Sequence, residues 1–120
     1  MQNYRNLLAW QKAHSSAVKV HQSVKSIPRS GNTGLISQIR RAALSIPANL
    51  AEGCGRSSDA DFAKFVQIAV GSSSELEYHL HFAFSTELIP QAEFEIRQQE
   101  IIEVRRMMIG LLKKLRPAPI

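Results

Sequence analysis

Four groups of residues in this chain could do chemistry: a cysteine, the histidines, a polar cluster around a proline, and a block of bases. Cys54, between Gly53 and Gly55, is the only thiol. A cysteine nucleophile needs a lowered pKa, supplied by a neighbouring base or a helix N-terminus. Cys54 instead follows an expected helix C-terminus, whose dipole disfavours a thiolate. Arg56 would favour one, but no histidine is near in sequence. His14 and His21 are seven apart, and His79 and His81 fall on different sides of one helix. Structural zinc takes a closed set of protein ligands at close spacings, often with cysteines, and that pattern is missing. Glu75 and His79, four apart, could form an acid–base couple, although on a helix such a pair is more often a surface contact. Gly53-Cys54-Gly55 is too short for a phosphate-cradling loop, and it follows a helix where such a loop precedes one. These residues imply no enzyme, no cofactor and no metal.

The polar cluster comprises Ser45, Asn49, Glu52 and Arg56, with Pro47 inside it and Gly53 near its end. A proline in a helix interior removes a backbone donor and crowds the carbonyl four residues earlier, at about 3 kcal/mol. That carbonyl belongs to Ala43. The cluster is either a functional site or a structural network, in which Asn49 donates to freed backbone groups and Arg56 pairs with Glu52 as the glycines fold the chain back. A buried orphan acceptor costs about 1–3 kcal/mol unless it is paired, which favours the structural reading. The helix is expected to bend at Pro47 and to be stopped by the glycine pair Gly53 and Gly55, its last residue being Gly53.

The bases are unevenly placed. Residues 1–51 contain Arg5, Lys12, Lys19, Lys25, Arg29, Arg40 and Arg41 and no acid. Residues 52–104 hold all ten acids against Arg56, Lys64 and Arg97, and the chain from Arg105 onward is again acid-free with five bases. Such blocks point to a basic and an acidic face, the alternative being solvated helix surface.

The elements that must position these groups are helices. Trp10, Ala13, Ala17, Val20, Val24 and Ile27 recur at spacings of three and four, as do Ile39, Ala43, Ile46 and Leu50, the period of a helix with one buried stripe. Phe62, Phe65, Ala69, Ser72, Leu76, Leu80 and Ala83 continue the pattern, and so do Phe94, Ile101, Val104, Met108, Leu111 and Leu115. Loop composition between them sets helices over 6–27, 35–53, 59–86 and 91–115, with Ser58 and Asp61 as a capping pair and Pro117 and Pro119 closing the last helix. Gly71, beside three serines, suggests a place where another backbone approaches closely. The fold class is all-α: one antiparallel up-and-down four-helix bundle over residues 1–120, with a proline-kinked second helix.

The composition, 44% hydrophobic and 21% charged, is that of a globular chain. No run approaches the length of a membrane span, no signal peptide is visible, and a lone cysteine fits a reducing interior, so the expected compartment is the cytoplasm. Val18, Leu35, Val66, Phe82, Phe84, Ile96, Ile102, Met107 and Leu112 lie on or beyond the margins of the apolar stripes. Left exposed, they would mark interaction surfaces, and self-association is expected.

Trp10-Gln11-Lys12-Ala13, Ser45-Ile46-Pro47 with Asn49-Leu50-Ala51-Glu52-Gly53 and Arg56, and Phe65, Ile68-Ala69, Gly71-Ser72 and Glu75-Leu76 together resemble one family. It is that of the bacterial four-helix-bundle proteins encoded in intervening sequences of 23S ribosomal RNA genes. The resemblance covers nearly the whole chain. It implies a ring-like homopentamer, similar in fold to the basic, nucleic-acid-binding accessory protein of diversity-generating retroelements, and no catalytic activity. Two departures stand out: Ser73 replaces a larger apolar residue after Gly71-Ser72, and the loop Pro28 to Gly34 lacks a glutamate common before the second helix.

The resulting expectation is a homo-oligomer that binds RNA or DNA through Arg5, Lys12, Lys19, Arg40 and Arg41, repeated in every subunit. Only Tyr4 and Trp10 are aromatic near those bases, so binding should run through the backbone with little sequence preference. Acids of the middle segment, Glu75 and Glu77 among them, are expected at subunit contacts. A protein-interaction scaffold without nucleic-acid binding is the alternative.

Overall fold

The computed structural model describes residues 2–116. Its four helices are α1 (Leu8–Ser23), α2 (Thr33–Cys54), α3 (Asp59–Ser85) and α4 (Gln91–Leu115), and no strand occurs among the described residues. α1 is shorter than the expected 6–27 because both ends tighten into single 3-10 turns, Tyr4–Asn6 and Val24–Ser26. Asn3 Oδ1 accepts from the Arg5 backbone N–H, and Leu7 is extended at φ −83° and ψ 117°, which separates the first turn from the helix. At the other end Ile27 is extended before Pro28, as the residue before a proline prefers. Gly31, at φ +80°, turns the following loop, and Asn32 Nδ2 donates to the Pro28 carbonyl at 2.8 Å. α3 starts on the expected cap, with the Asp61 N–H donating to Ser58 Oγ at 3.1 Å. α4 matches its expected span, whereas Pro117 and Pro119 lie outside the described residues.

Successive helices run in opposite directions. Ser45 meets Ser72 while Gly53 meets Phe62, so α2 and α3 are antiparallel. Phe84 stacks on Phe94 while Ser73 meets Arg105, which sets α3 against α4 in the same sense. Lys12 faces Glu103 and Lys19 faces Glu100, and α4 thereby closes the bundle against α1. The molecule is a rod of 51 × 24 × 20 Å.

The stripes meet along its axis. Val20, Ile39, Leu50, Leu76, Leu80, Ile101 and Met108 are fully buried, with Ala13, Ala42, Ala43, Ala69 and Ala83 between them. Val66, expected at the margin, is fully buried. Of the other margin residues, Val18, Phe82 and Ile96 are exposed and Leu35, Phe84, Ile102, Met107 and Leu112 half-buried. Leu8, Leu44, Ile68, Tyr78 and Ile109 add exposed apolar surface that the stripes did not flag.

Two glycines differ in what surrounds them. α2 ends one residue past Gly53, at Cys54, with Gly55 as its cap, and Gly53 has a second role. It is buried, and a Cβ there would lie 2.7 Å from Phe62 Cδ1 and 3.1 Å from Phe65 Cβ. Gly53 is thus where α3 presses onto α2, because an alanine methyl would collide with the Phe62 ring and crowd the Phe65 stem. Gly71 is exposed, with nothing within 4 Å of an added Cβ. Within one chain no backbone approaches it.

Candidate functional site

The polar cluster divides in two. Asn49 Nδ2 donates to the Ser45 carbonyl at 2.8 Å and to Ser45 Oγ at 3.0 Å, and Ser45 Oγ shares a 2.8 Å hydrogen bond with Ser72 Oγ of α3. Asn49 therefore serves the Ser45 carbonyl and not that of Ala43, where Pro47 leaves the ladder without a donor. Pro47 is buried inside a helix assigned without interruption on both sides. Glu52 and Arg56 stand apart from this trio. Arg56 Nη2 lies 3.4 Å from Glu52 Oε2 as an exposed pair four residues apart, and its guanidinium sits 4.6 Å from the centre of the Phe65 ring. The pair forms as α2 ends in an ordinary right-handed turn at Gly55, φ −81°, with no left-handed fold-back. Ser45, Asn49 and Gly53 thus knit α2 to α3, and Glu52 and Arg56 cover that joint from outside.

The five expected nucleic-acid contacts are not brought together. Lys12 Nζ lies 3.6 Å from Glu103 and Lys19 Nζ 3.0 Å from Glu100. Arg97 joins the same seam, 3.0 Å from Glu100 and 3.4 Å from Glu93, while Ser23 Oγ donates to Glu93. Arg5 is exposed, its guanidinium 4.9 Å from the Tyr4 ring centre. Tyr4 packs edge-on against Trp10, which stacks on His14. Arg41 is exposed and without an ion pair, and Arg40 is half-buried on the outer side of α2. Arg29, which sequence reasoning left out of the site, lines one cleft with Arg40. So do Arg106, Lys113, Lys114 and Arg116 escape pairing near the end of α4; the acid-free stretch from Arg105 onward was the signal for them.

Glu77 belongs inside the chain. Arg105 Nη2 donates to it at 2.7 Å and Gln98 Nε2 at 2.9 Å, while Arg105 Nη1 reaches Ser73 Oγ at 3.4 Å. Burial pushes the Glu77 carboxyl up, but the bonds from Gln98 and Arg105 and the guanidinium charge outweigh it, and the pKa falls below the usual carboxylate value. Ser73, fully buried, donates to the Val70 carbonyl at 2.6 Å. Its small size and hydroxyl admit the Arg105 guanidinium between α3 and α4. Glu75 stays exposed, 3.7 Å from His79.

Cys54 is buried, and burial pushes its thiol above the ordinary value, the reverse of what a nucleophile needs. Among the described residues no three of His, Cys, Asp or Glu gather as metal ligands, and no helix is long and apolar enough to cross a membrane.

The model of the 23S rRNA-intervening sequence protein family matches residues 5–110. The chain belongs to that family. The match takes in all of α1, α2 and α3 and most of α4, so it spans the Ser45–Asn49 trio, the ion-paired seam and the Arg29–Arg40 cleft. The fold is also similar to the 1.70 Å crystal structure of a protein of unknown function from the S23 ribosomal protein family of Bacteroides thetaiotaomicron. The two share 27% identity and a TM-score of 0.80 over 88% of this chain and 99% of that one. A search of curated proteins finds no match.

Proposed function

We propose that this family member is a non-enzymatic, self-associating cytoplasmic bundle that binds nucleic acid, RNA foremost, through backbone phosphates with little sequence preference. One observation carries the reading. Among the described residues Arg5, Lys25, Arg29, Arg40, Arg41, Arg106, Lys113, Lys114 and Arg116 are outside any ion pair, against only Asp59, Glu87 and Glu95 among the acids. The acids are largely neutralised by neighbours, and the charge left over is basic. Repeated in each subunit of an oligomer, such bases add up through counterion release even where each contact is weak.

Self-association is supported by the outer face of α3, where Ile68, Tyr78 and Phe82 are 51%, 61% and 45% exposed. Bare backbone at Gly71 lies along the same side of α3 as Ile68 and Tyr78. A neighbouring subunit could approach closely there, and the family resemblance makes five the preferred number. Light scattering or native mass spectrometry gives that number, and a gel shift of structured RNA across a salt series tests the binding. Affinity should fall steeply as salt rises. A monomer, or binding indifferent to salt, overturns the reading; an oligomer that retains no RNA is the outcome of a protein scaffold.

A further inference from the structure

We propose that the cleft on the outer face of α2's first turns is a discrete site for a single phosphate group, built by Arg29, Thr33, Ser37 and Arg40. The nucleic-acid reading needs only diffuse charge, whereas this cleft has defined donors. Thr33, Ser37 and Arg40 follow one another at spacings of four and three, so one face of α2 presents them together. Gly31 turns the preceding loop, and the Asn32 N–H donates to the Arg29 carbonyl at 3.0 Å. That turn sets Arg29 beside the helix start, where it lines the same cleft of about 280 Å³.

The lining is chemically one-sided. It holds two guanidinium groups and two hydroxyls over a floor of Ile36, and no carboxylate. Among the described residues neither arginine pairs with an acid, and the Thr33 and Ser37 hydroxyls donate to no group. Arg40 Nε is shielded from solvent and has no acceptor. A buried guanidinium donor calls for an anionic acceptor, and the fork geometry of Nε and Nη matches two oxygens of one oxyanion. The first turn of α2 carries no acid that would compete for these donors. Two forks and two hydroxyls offer more donors than a carboxylate has oxygens to accept them, but a tetrahedral phosphate has enough. The cleft is too small and open to enclose a whole small molecule, since enclosing pockets start at roughly 300 Å³. It fits a phosphate carried on something larger, such as a nucleic-acid backbone, or the free ion.

The test uses the full chain labelled with 15N and follows the arginine Nε–H signals during titration with inorganic phosphate at constant ionic strength, with acetate as control. The Arg40 signal should shift saturably with phosphate and several-fold less with acetate. Arg40→Lys keeps the charge but loses the fork, and should weaken phosphate binding about tenfold, while Arg56→Lys, at the other end of α2, should leave it unchanged. Ser37→Ala should give a smaller loss. Thermal melts of each variant separate binding from folding. Equal response to acetate, no saturation at Arg40, or equal loss in Arg56→Lys overturns the site. A single-stranded RNA oligomer then distinguishes the sources. Displacement of phosphate from Arg40 by RNA identifies a backbone phosphate. Saturable phosphate binding that RNA leaves in place keeps the site and sinks the nucleic-acid reading alone.

Discussion

The bases of α1 and those of the early part of α2 belong to the same acid-free stretch, yet they sit in opposite electrostatic situations. Lys12 and Lys19 project onto α4, where Glu103 and Glu100 meet them. Arg29, Arg40 and Arg41 project from the loop and the outer face of α2, where no acid among the described residues meets them. The difference arises from topology. Closing an up-and-down bundle brings the first helix against the last, and α4 carries four acids, of which three, Glu93, Glu100 and Glu103, lie on the α1 side. A block of charge in sequence is thus not an interface. Its members are sorted by which neighbour the fold gives them.

The largest effect that could break this contrast is on RNA affinity. Reversing Arg29 and Arg41 together to glutamate should weaken binding about a hundredfold at low salt and reduce the salt slope by about two, as for two lost phosphate contacts. Gel shifts of the variant and the parent across a salt series measure both. An unchanged slope would remove these arginines from the interface.

The inner face of α2 sharpens the contrast, because there the same helix is structural. Asn49→Ala takes a donor from the Ser45 carbonyl and hydroxyl, and should cost about 1 kcal/mol in urea unfolding without altering RNA affinity. Loss of binding at an unchanged urea midpoint would instead make the Ser45–Asn49–Ser72 trio a ligand site. Pro47→Ala bears on the same face. It restores a donor to the Ala43 carbonyl but removes the bend expected at that point, so the net gain should stay below about 1 kcal/mol.

Glu77 shows how a half-buried pair differs from both. Its pKa is lowered in the folded chain, so its contribution is fully present above the unfolded carboxylate value. That contribution is lost as pH falls through the lowered folded value. Glu77→Gln should therefore narrow the stability difference between neutral and acid pH, read as urea midpoints at several pH values. Equal pH dependence in variant and parent would mean that Arg105 and Gln98 give Glu77 no net support.

The helices were legible because the apolar period of each is unbroken, and Ser58, Pro90 and Pro28 marked their ends. α4 matched residue for residue, while α1 ran shorter because local bonds at Asn3 and the residue before Pro28 tightened its ends. The packing at Gly53 was missed and the surroundings of Gly71 were open, since a sequence shows that a side chain is missing but not what fills the space. Gly53 meets Phe62 and Gly71 meets nothing. The candidate site was legible only as charge. That Lys12 and Lys19 would be paired, and that Arg29 would join Arg40 across a turn, depended on contacts between elements that no local pattern encodes.

The smallest expected effect closes the comparison from the paired side. Lys12 and Lys19 are 59% and 49% exposed in their side chains, and their partners Glu103 and Glu100 57% and 25%. Exposed ion pairs contribute about 0–1 kcal/mol, and salt screens them further. Replacing both lysines by glutamine should therefore cost less than about 1 kcal/mol in total, with most of the loss at Lys19, where the carboxylate is better shielded. The cost should shrink as salt is added, because only the Coulombic part is removed. RNA affinity should drop less than about threefold, since these ammonium groups already have counterions in the chain and release few ions on meeting a phosphate. Urea midpoints at low and high salt, with a gel shift on the same preparation, measure both quantities. If the double variant lost affinity as steeply as the Arg29 and Arg41 reversal, the ion pairs with α4 would have to open on binding. The seam, not the outer face of α2, would then be where nucleic acid docks.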